Sequence, residues 1–213
     1  VPFEKSLPDR FFDVGIAEEH ALTFCAGLAA NGLKPFFAVY SSFLQRGYDN
    51  IIHDISLQKL PVVICIDRAG LNKYDGPTHH GIFDVAFLSH IPNMRIFAPI
   101  TFGSLERAIE QARVDTLPCA IRYPSGSESE RIKEQFYPEG DYSDIGARAN
   151  FADPNANRCV IITYGQIAGE ALDAADSLCK MGIQCGVVLL EILKPYDDTA
   201  QRILRLLPDD DGL

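Results

Sequence analysis

The stretch Pro61-Val62-Val63-Ile64-Cys65-Ile66 is an uninterrupted apolar run, and Asp67-Arg68-Ala69-Gly70 follows it at once. A continuous run of this kind is typical of a central strand in a parallel sheet, because helices cover both faces of such a strand. In open α/β sheets, ligands bind at the edge where the parallel strands end. The run therefore predicts a buried strand, and the turn after it is expected to form part of a ligand site.

Helical and strand-like segments alternate on the N-terminal side of this run. Apolar residues at helical spacing predict a helix over Ala17–Asn31, and Gly32 is well placed to end it. Pro35–Tyr40 predicts a short buried strand. A second helix is expected over Ser42–Gln58. The order is that of an α/β domain.

The same alternation continues towards the C-terminus. Arg68–Ile82 predicts a long loop rich in Gly, Asp, His and Pro, and loops of this length in a domain are usually functional or disordered. Because it holds a Pro-Thr-His-His run between glycines, we favour function. A strand (Met94–Ala98), a helix (Ser104–Arg113) and another strand (Cys119–Tyr123) follow. This order predicts a mostly parallel sheet with helices on both faces, over residues 1–126.

The pattern lapses over residues 127–157, which we interpret as a linker with one edge hairpin. A second α/β unit is predicted over residues 158–213, with strands over Cys159–Thr163 and Gln184–Leu190 and helices over Ala168–Met181 and Thr199–Leu206. Two strands and two helices give only a marginal core. We therefore expect a truncated second unit in a piece of a longer protein.

Composition excludes some classes of function. The formal net charge of −10 argues against a nucleic-acid partner, whose phosphates it would repel, although a phosphorylated small molecule remains open. No segment approaches the roughly 18 apolar residues of a membrane span. The six cysteines form no C-x-x-C pair, which favours reduced thiols in a cytoplasmic protein.

An acidic residue opens the first long helix in Gly15-Ile16-Ala17-Glu18-Glu19-His20-Ala21. Either carboxylate could serve only to stabilise the positive end of the helix dipole. Glu19 is the better candidate for that role, since one of two adjacent residues must point elsewhere. If Glu18 turns into an apolar crevice, its buried carboxyl group could donate a hydrogen bond to a ring nitrogen of a ligand.

Aromatic side chains follow the strand that ends at Tyr40. Tyr40 and Phe43 either pack in the core or form a stacking wall for a flat heteroaromatic ring. Arg46 lies on the helical face of Phe43 by i, i+3 spacing, and it is either a ligand-site residue or a solvated surface residue.

The predicted long loop carries the remaining candidates. Arg68 directly follows the central strand, where a guanidinium group could bind an anion. Asp75 and His79 are separated by Gly76-Pro77-Thr78, a turn that could bring both side chains to one side for acid–base work or for orienting a substrate hydroxyl. We expect no metal site at His79 and His80, because adjacent loop residues rarely share one ion.

These motifs, taken in order, strongly resemble those of the 1-deoxy-D-xylulose-5-phosphate synthases, in the thiamine-diphosphate-dependent transketolase group. The resemblance rests on Phe12–Ala21, Tyr40–Arg46, Asp67–Gly70 and Asp75–His79 and covers nearly the whole chain. It implies the pyrimidine-binding fold of thiamine-diphosphate enzymes for the first unit and the start of the family's C-terminal domain for the second.

The resemblance also implies an activity, the condensation of pyruvate with glyceraldehyde 3-phosphate with loss of carbon dioxide, which supplies isoprenoid, thiamine and pyridoxal synthesis. By resemblance, Glu18 would hydrogen-bond the cofactor's aminopyrimidine ring, while Phe43, Tyr40 and Arg46 would complete the cofactor site. Arg68 would bind the substrate phosphate. Asp75 and His79 would contact substrate oxygens during addition and decarboxylation.

Two departures from the family pattern matter. The family's phosphate-binding Arg after Tyr-Pro falls on Ser125, so Arg68, helped by Arg122 or Lys73, would have to bind the anion. The Gly-Asp-Gly motif that holds diphosphate and Mg²⁺ in the family, on an N-terminal domain, is absent from these 213 residues. We therefore expect the chain alone to be inactive and to work with that domain, in a homodimer.

Two alternatives stay open. The first is a related thiamine-diphosphate enzyme, either a transketolase or the beta subunit of a 2-oxo-acid dehydrogenase, which share the acidic helix start. The second is a non-catalytic assembly module whose site residues are vestigial, for which Ser125 is the best support.

Overall fold

The computed structural model describes residues 2–72, 75–143, 146–151 and 159–207. The strands are β1 (Phe36–Tyr40), β2 (Val63–Asp67), β3 (Arg95–Phe97), β4 (Cys119–Arg122), β5 (Ala147–Asn150), β6 (Cys159–Tyr164), β7 (Cys185–Leu190) and β8 (Ile192–Lys194). The α-helices are α1 (Pro2–Ser6), α2 (Glu18–Ala30), α3 (Ser41–Leu44), α4 (Tyr48–Asn50), α5 (Asp84–Ser89), α6 (Phe102–Val114), α7 (Glu130–Phe136), α8 (Ala168–Lys180) and α9 (Tyr196–Leu206).

The predicted central strand is β2 of a five-stranded sheet ordered β1-β2-β4-β3-β8, in which the first four strands are parallel. Successive side chains of β2 point to opposite faces of the sheet, and each face packs against its own hydrophobic cluster. Ile64 and Ile66 pack in a cluster with α2, whereas Val63 packs in another cluster with Ala108 and Ala112 of α6. The predicted α/β fold, a mostly parallel sheet covered by helices on both faces, is confirmed.

Two details before the central strand differ from the sequence-based expectation. β1 is an edge strand, and Phe36 on it is 44% exposed, so the prediction of a buried strand was wrong. The single helix expected over Ser42–Gln58 is broken into α3, a 3₁₀ turn (Gln45–Gly47), α4 and a π-helical turn (Ile51–Ser56). A Cβ at Gly47 would lie 2.1 Å from the Leu22 Cδ1 atom, so a side chain at residue 47 would force the buried Leu22 to shift where this segment packs against α2.

The second unit has a three-stranded sheet ordered β5-β7-β6. Part of the predicted linker belongs to this unit: α7 buries Ile132 and Phe136 against α8, and β5 pairs antiparallel to β7. The division of the chain at residues 126 and 158 remains a prediction.

A strand that sequence patterning missed joins the two units. β8 follows β7 closely but pairs antiparallel to β3 in the first sheet. Lys194, at its end, donates hydrogen bonds to the carbonyl oxygens of Ser89 (2.8 Å) and Ile91 near the end of α5. Among the helices in the described ranges, none has the length and apolar character needed to cross a bilayer.

Candidate functional site

Strand register places the candidate residues at one edge of the first sheet. Tyr40, the last residue of β1, is the register partner of Asp67, the last residue of β2. Ile66 is in turn the partner of Arg122, the last residue of β4. Because these three parallel strands end at the same level, the segments that follow them begin side by side.

The loop after β2 is closed at its base by glycines. The backbone N–H groups of Gly70 and Gly81 each donate to the other's carbonyl oxygen, at 2.7 and 2.8 Å. A Cβ at Gly81 would lie 2.4 Å from the Arg68 carbonyl oxygen, so only glycine fits. Arg68 itself has φ +58°, which is unusual for a residue with a side chain and is typical of functional sites. The base of the loop, at Arg68, Gly70 and Gly81, is thus held in a defined conformation.

Glu18 begins α2, and its side chain is buried, whereas Glu19 beside it is exposed. The Arg46 Nη1 atom donates to the Glu18 Oε1 atom at 3.1 Å. The Arg46 side chain is 49% exposed, so this ion pair lies at the boundary between the protein interior and solvent. The burial expected of Glu18 is therefore present, and a charged partner accompanies it.

An aromatic group surrounds Phe43. The Tyr40 ring stacks on it with centroids 5.6 Å apart, and the His79 ring meets it edge-on at 5.5 Å. The Arg46 guanidinium lies 5.1 Å from the Phe43 centroid, and the Arg68 guanidinium lies 4.0 Å from the Tyr40 centroid. Phe43 thus belongs to this aromatic group at the sheet edge and is not a member of the core clusters.

Asp75 accepts hydrogen bonds from Arg68 and, at 2.5 Å, from the side-chain amide of Asn72. Within the described residues, no hydrogen bond or ion pair joins Asp75 to His79, so the turn does not form the direct pair that we considered. His79 instead contacts the Thr78 hydroxyl through its Nδ1 atom at 3.0 Å.

Sequence reasoning missed Asn72, which is buried within the loop. Besides its side-chain bond to Asp75, its backbone N–H donates to the His80 Nδ1 atom at 3.0 Å. A neutral His80 ring therefore carries its proton on Nε2. The only signal in the sequence was the position of Asn72 between Arg68 and Asp75.

Arg122 is not free to bind an anion in the way that the sequence suggested. Its Nε atom donates to the Asp84 Oδ2 atom at 2.9 Å, and both side chains are buried. Its guanidinium also lies 5.3 Å from the ring centroid of Tyr164 in the second unit. Ser125 is exposed nearby in the chain, and Lys73, the other suggested helper, lies outside the described residues.

A cavity of about 160 Å³, with a mixed polar and apolar lining, adjoins this group. It is lined by Ser41, Ser42, Gln45, Pro77, Thr78, His80, Ile82 and Phe83. The hydroxyl oxygens of Ser41 and Ser42 are buried and have no hydrogen-bond partner among the described residues.

The site as a whole combines a buried carboxyl group, an aromatic stack and two partly exposed arginines. Such a set can hold a flat heteroaromatic ring by stacking and by a hydrogen bond to a ring nitrogen, beside an anionic group. In the part of the chain that the structure describes, no cluster of three or more His, Cys, Asp or Glu side chains could hold a metal ion.

Comparison with known protein families gives two matches. Residues 1–128 match the family described as "Transketolase, pyrimidine binding domain", and residues 148–205 match "Transketolase, C-terminal domain".

Curated relatives named 1-deoxy-D-xylulose-5-phosphate synthase match almost the whole chain. The protein from Aquifex aeolicus is 47% identical over 204 residues, which is 96% of this chain and 32% of the relative. The protein from Clostridium perfringens is 59% identical over 198 residues, which is 92% of this chain and 31% of the relative. The chain thus spans about a third of the length of these relatives.

Solved structures are similar in fold. A structure titled "Split gene transketolase, inactive beta4 tetramer" matches with a TM-score of 0.76 and 30% identity. The match covers 96% of this chain and 65% of the solved chain. Transketolase from Campylobacter jejuni matches with a TM-score of 0.75 at 19% identity, over 89% of this chain and 29% of the solved chain. At this identity the match supports the fold alone.

Proposed function

The chain belongs to the family of transketolase pyrimidine-binding domains, and from that premise we propose that it is part of a 1-deoxy-D-xylulose-5-phosphate synthase. The whole enzyme would be a thiamine-diphosphate-dependent transferase that joins pyruvate to glyceraldehyde 3-phosphate and releases carbon dioxide. The identity of 43–59% to curated synthases over most of the chain supports this choice. The observation that carries it is the buried Glu18 carboxylate, held by Arg46 beside the Phe43 ring.

The residues present fit the pyrimidine half of thiamine diphosphate. Phe43 and Tyr40 offer aromatic faces at the sheet edge, and Glu18 offers a buried carboxyl group for a ring nitrogen. Arg46 would hold the Glu18 side chain in one rotamer and turn it towards the ring. When bound, the cofactor supplies the electron sink that decarboxylation of a 2-oxo acid requires.

We assign the substrates to the loop after β2. Arg68 uses one nitrogen for Asp75, and its guanidinium keeps further N–H donors for a phosphate or carboxylate. His79, in edge contact with Phe43, would hydrogen-bond a substrate hydroxyl or carbonyl oxygen. Asp75, fixed by Arg68 and Asn72, would accept from a substrate hydroxyl. With Arg122 paired to Asp84, Arg68 would be the principal phosphate ligand among the described residues.

The diphosphate end of the cofactor and its Mg²⁺ would be bound by a domain outside these 213 residues, because the sequence contains no Gly-Asp-Gly motif. That domain would belong to the same protein, and the assembly would be a cytoplasmic homodimer. The chain by itself would therefore be inactive. The neighbouring split-gene structure, whose title describes an inactive tetramer of one subunit type, supports this expectation by analogy.

The test is a substrate comparison with the full-length protein that carries this chain. We expect carbon dioxide release from pyruvate that depends on glyceraldehyde 3-phosphate. Two-carbon transfer between sugar phosphates without decarboxylation would instead identify a transketolase, and dependence on a lipoyl acceptor would identify a 2-oxo-acid dehydrogenase. Calorimetry on the isolated chain is expected to show no micromolar binding of thiamine diphosphate, and such binding would contradict the assignment of the diphosphate site to another domain.

A further inference from the structure

Three of the six cysteines meet in the second unit, away from the candidate site. Cys159 begins β6 and Cys185 begins β7, and their Cα atoms are register partners in a parallel pair. Both side chains belong to the core cluster between this sheet and α8, and α8 carries Cys179 in its last turn. All three are reduced.

The geometry of the first two suits a covalent bond. Neighbouring strands lie about 4.8 Å apart, and register partners in a parallel pair point to the same face of the sheet. Disulfides need a Cα–Cα separation of roughly 4.4–6.8 Å, so this pair lies within range. The Cys159 Sγ atom donates to the Gln184 carbonyl oxygen at 3.7 Å and the Cys185 Sγ atom to the Gly186 carbonyl oxygen at 3.6 Å, so both thiols are free of covalent bonds and are held beside neighbouring backbone.

The first sheet provides a contrast within the same chain. Cys65 and Cys119 also lie on neighbouring parallel strands and face the same core, but they are not register partners. Cys65 pairs with Ile121 and Cys119 with Val63, so the two cysteines are displaced by two residues along the strands. Their Cα atoms are then about 8 Å apart from strand spacing and rise, which is too far for a disulfide.

We propose that Cys159 and Cys185 are an oxidation site, at which the folded chain forms a reversible disulfide when it meets a peroxide. Cys159 is half-buried and Cys185 is buried, so Cys159 reacts first. Its sulfur attacks one peroxide oxygen, giving a sulfenic acid and one water. The Cys185 sulfur then attacks the Cys159 sulfur, the S–O bond breaks, and the hydroxyl leaves with the Cys185 proton as a second water. Two thiols are oxidised and one peroxide is reduced.

Burial sets the speed of the second step. Desolvation, together with the neighbouring Cys159 thiol, raises the pKa of Cys185 to about 11. Because the thiolate is the nucleophile, closure is expected to accelerate about tenfold per pH unit below that pKa. The site is therefore a slow one at neutral pH, suited to sustained oxidation.

The experiment treats the full chain with hydrogen peroxide at pH 7 and pH 9, blocks remaining thiols by alkylation, and maps cross-links by mass spectrometry. Trypsin separates residues 159–180 from residues 181–202, and cleavage after Glu170 then separates Cys159 from Cys179. We expect a cross-link between the Cys159 and Cys185 peptides that forms faster at pH 9, disappears on reduction, and is lost in Cys159→Ser and kept in Cys179→Ser. Circular dichroism checks that each variant is folded.

Three outcomes would overturn the proposal. The first is a cross-link from Cys185 to Cys179 in place of Cys159. The second is a Cys65–Cys119 cross-link of equal yield, which would show that register does not select the pair. The third is oxidation to sulfinic or sulfonic acid with no disulfide at either pH.

Discussion

Replacing Asp84 with Asn should destabilise the chain more than any exposed charge substitution. Asp84 and Arg122 form an ion pair through two hydrogen bonds, of 2.9 and 3.4 Å, with side chains only 1% and 7% exposed. Asparagine keeps the shape but removes the charge, so the Arg122 guanidinium stays buried without compensation. Breaking one side of such a pair costs roughly 3–5 kcal/mol.

The expected change is large enough to measure in two ways. For a chain of this size, about 2–4 °C of melting temperature correspond to each kcal/mol, so Asp84→Asn should lower the melting temperature by roughly 10 °C. Urea unfolding followed by circular dichroism gives the free energy of unfolding directly. Arg107 and Glu110 form the matched control, because this pair is 45% and 52% exposed. Glu110→Gln should change the free energy by about 0.5 kcal/mol or less.

A double-mutant cycle isolates the pair. Asp84→Asn with Arg122→Met removes both charges, so the double variant should be destabilised by less than the sum of the two single variants. If Asp84→Asn costs no more than Glu110→Gln, or if the two single effects simply add, the reasoning about an uncompensated buried charge is refuted.

Two further predictions concern packing and pH. Gly47→Ala should lower the free energy of unfolding by about 1–3 kcal/mol, because its Cβ would lie 2.1 Å from the fully buried Leu22. Gly27→Ala, whose Cβ would have nothing within 4 Å, should instead stabilise the helix by roughly 0.5–1 kcal/mol. Urea unfolding of both variants checks this, and equal effects on the free energy of unfolding would contradict it. Burial raises the pKa of Glu191, which the Tyr137 hydroxyl (2.6 Å) and Arg148 only partly offset. Above pH 4.5, the ordinary pKa of a glutamate, the folded state therefore binds more protons than the unfolded state. The contribution of Glu191 to stability is full below pH 4.5 and is lost as pH rises through the raised pKa. The free energy of unfolding of the unmodified chain should fall relative to Glu191→Gln over that window, and parallel pH profiles would count against it.

Local patterns in the sequence were enough to predict α2, α6 and the parallel strands of the first unit. The predicted helix over Ala17–Asn31 differs by one residue at each end from α2, because apolar spacing and Gly32 define that helix locally. Within residues 127–157, α7 and β5 were not predicted, because they depend on burial against α8 and on pairing with β7, which no local pattern records. β8 was missed because its partner, β3, lies about a hundred residues earlier.

The residues of the candidate site were likewise only partly predictable from local sequence. Glu18, Phe43 and Arg68 could be chosen from position alone, since each follows a strand or begins a helix at the ligand edge. The ion pairs near the site could not be predicted in this way, because the Glu18–Arg46 contact spans 28 positions and the Asp84–Arg122 contact spans 38. Long-range ion pairs depend on which strands become neighbours, and here β4 lies between β2 and β3.

The most direct measurement of the central claim is the turnover of the full-length protein with Glu18→Gln beside Glu19→Gln. Glutamine keeps the shape of the side chain but cannot exchange a proton with a ring nitrogen, and Glu19 is the exposed neighbour on the same helical turn. We expect Glu18→Gln to slow carbon dioxide release from pyruvate by about 10²-fold or more, and Glu19→Gln to leave it nearly unchanged. Equal turnover in the two variants would contradict it.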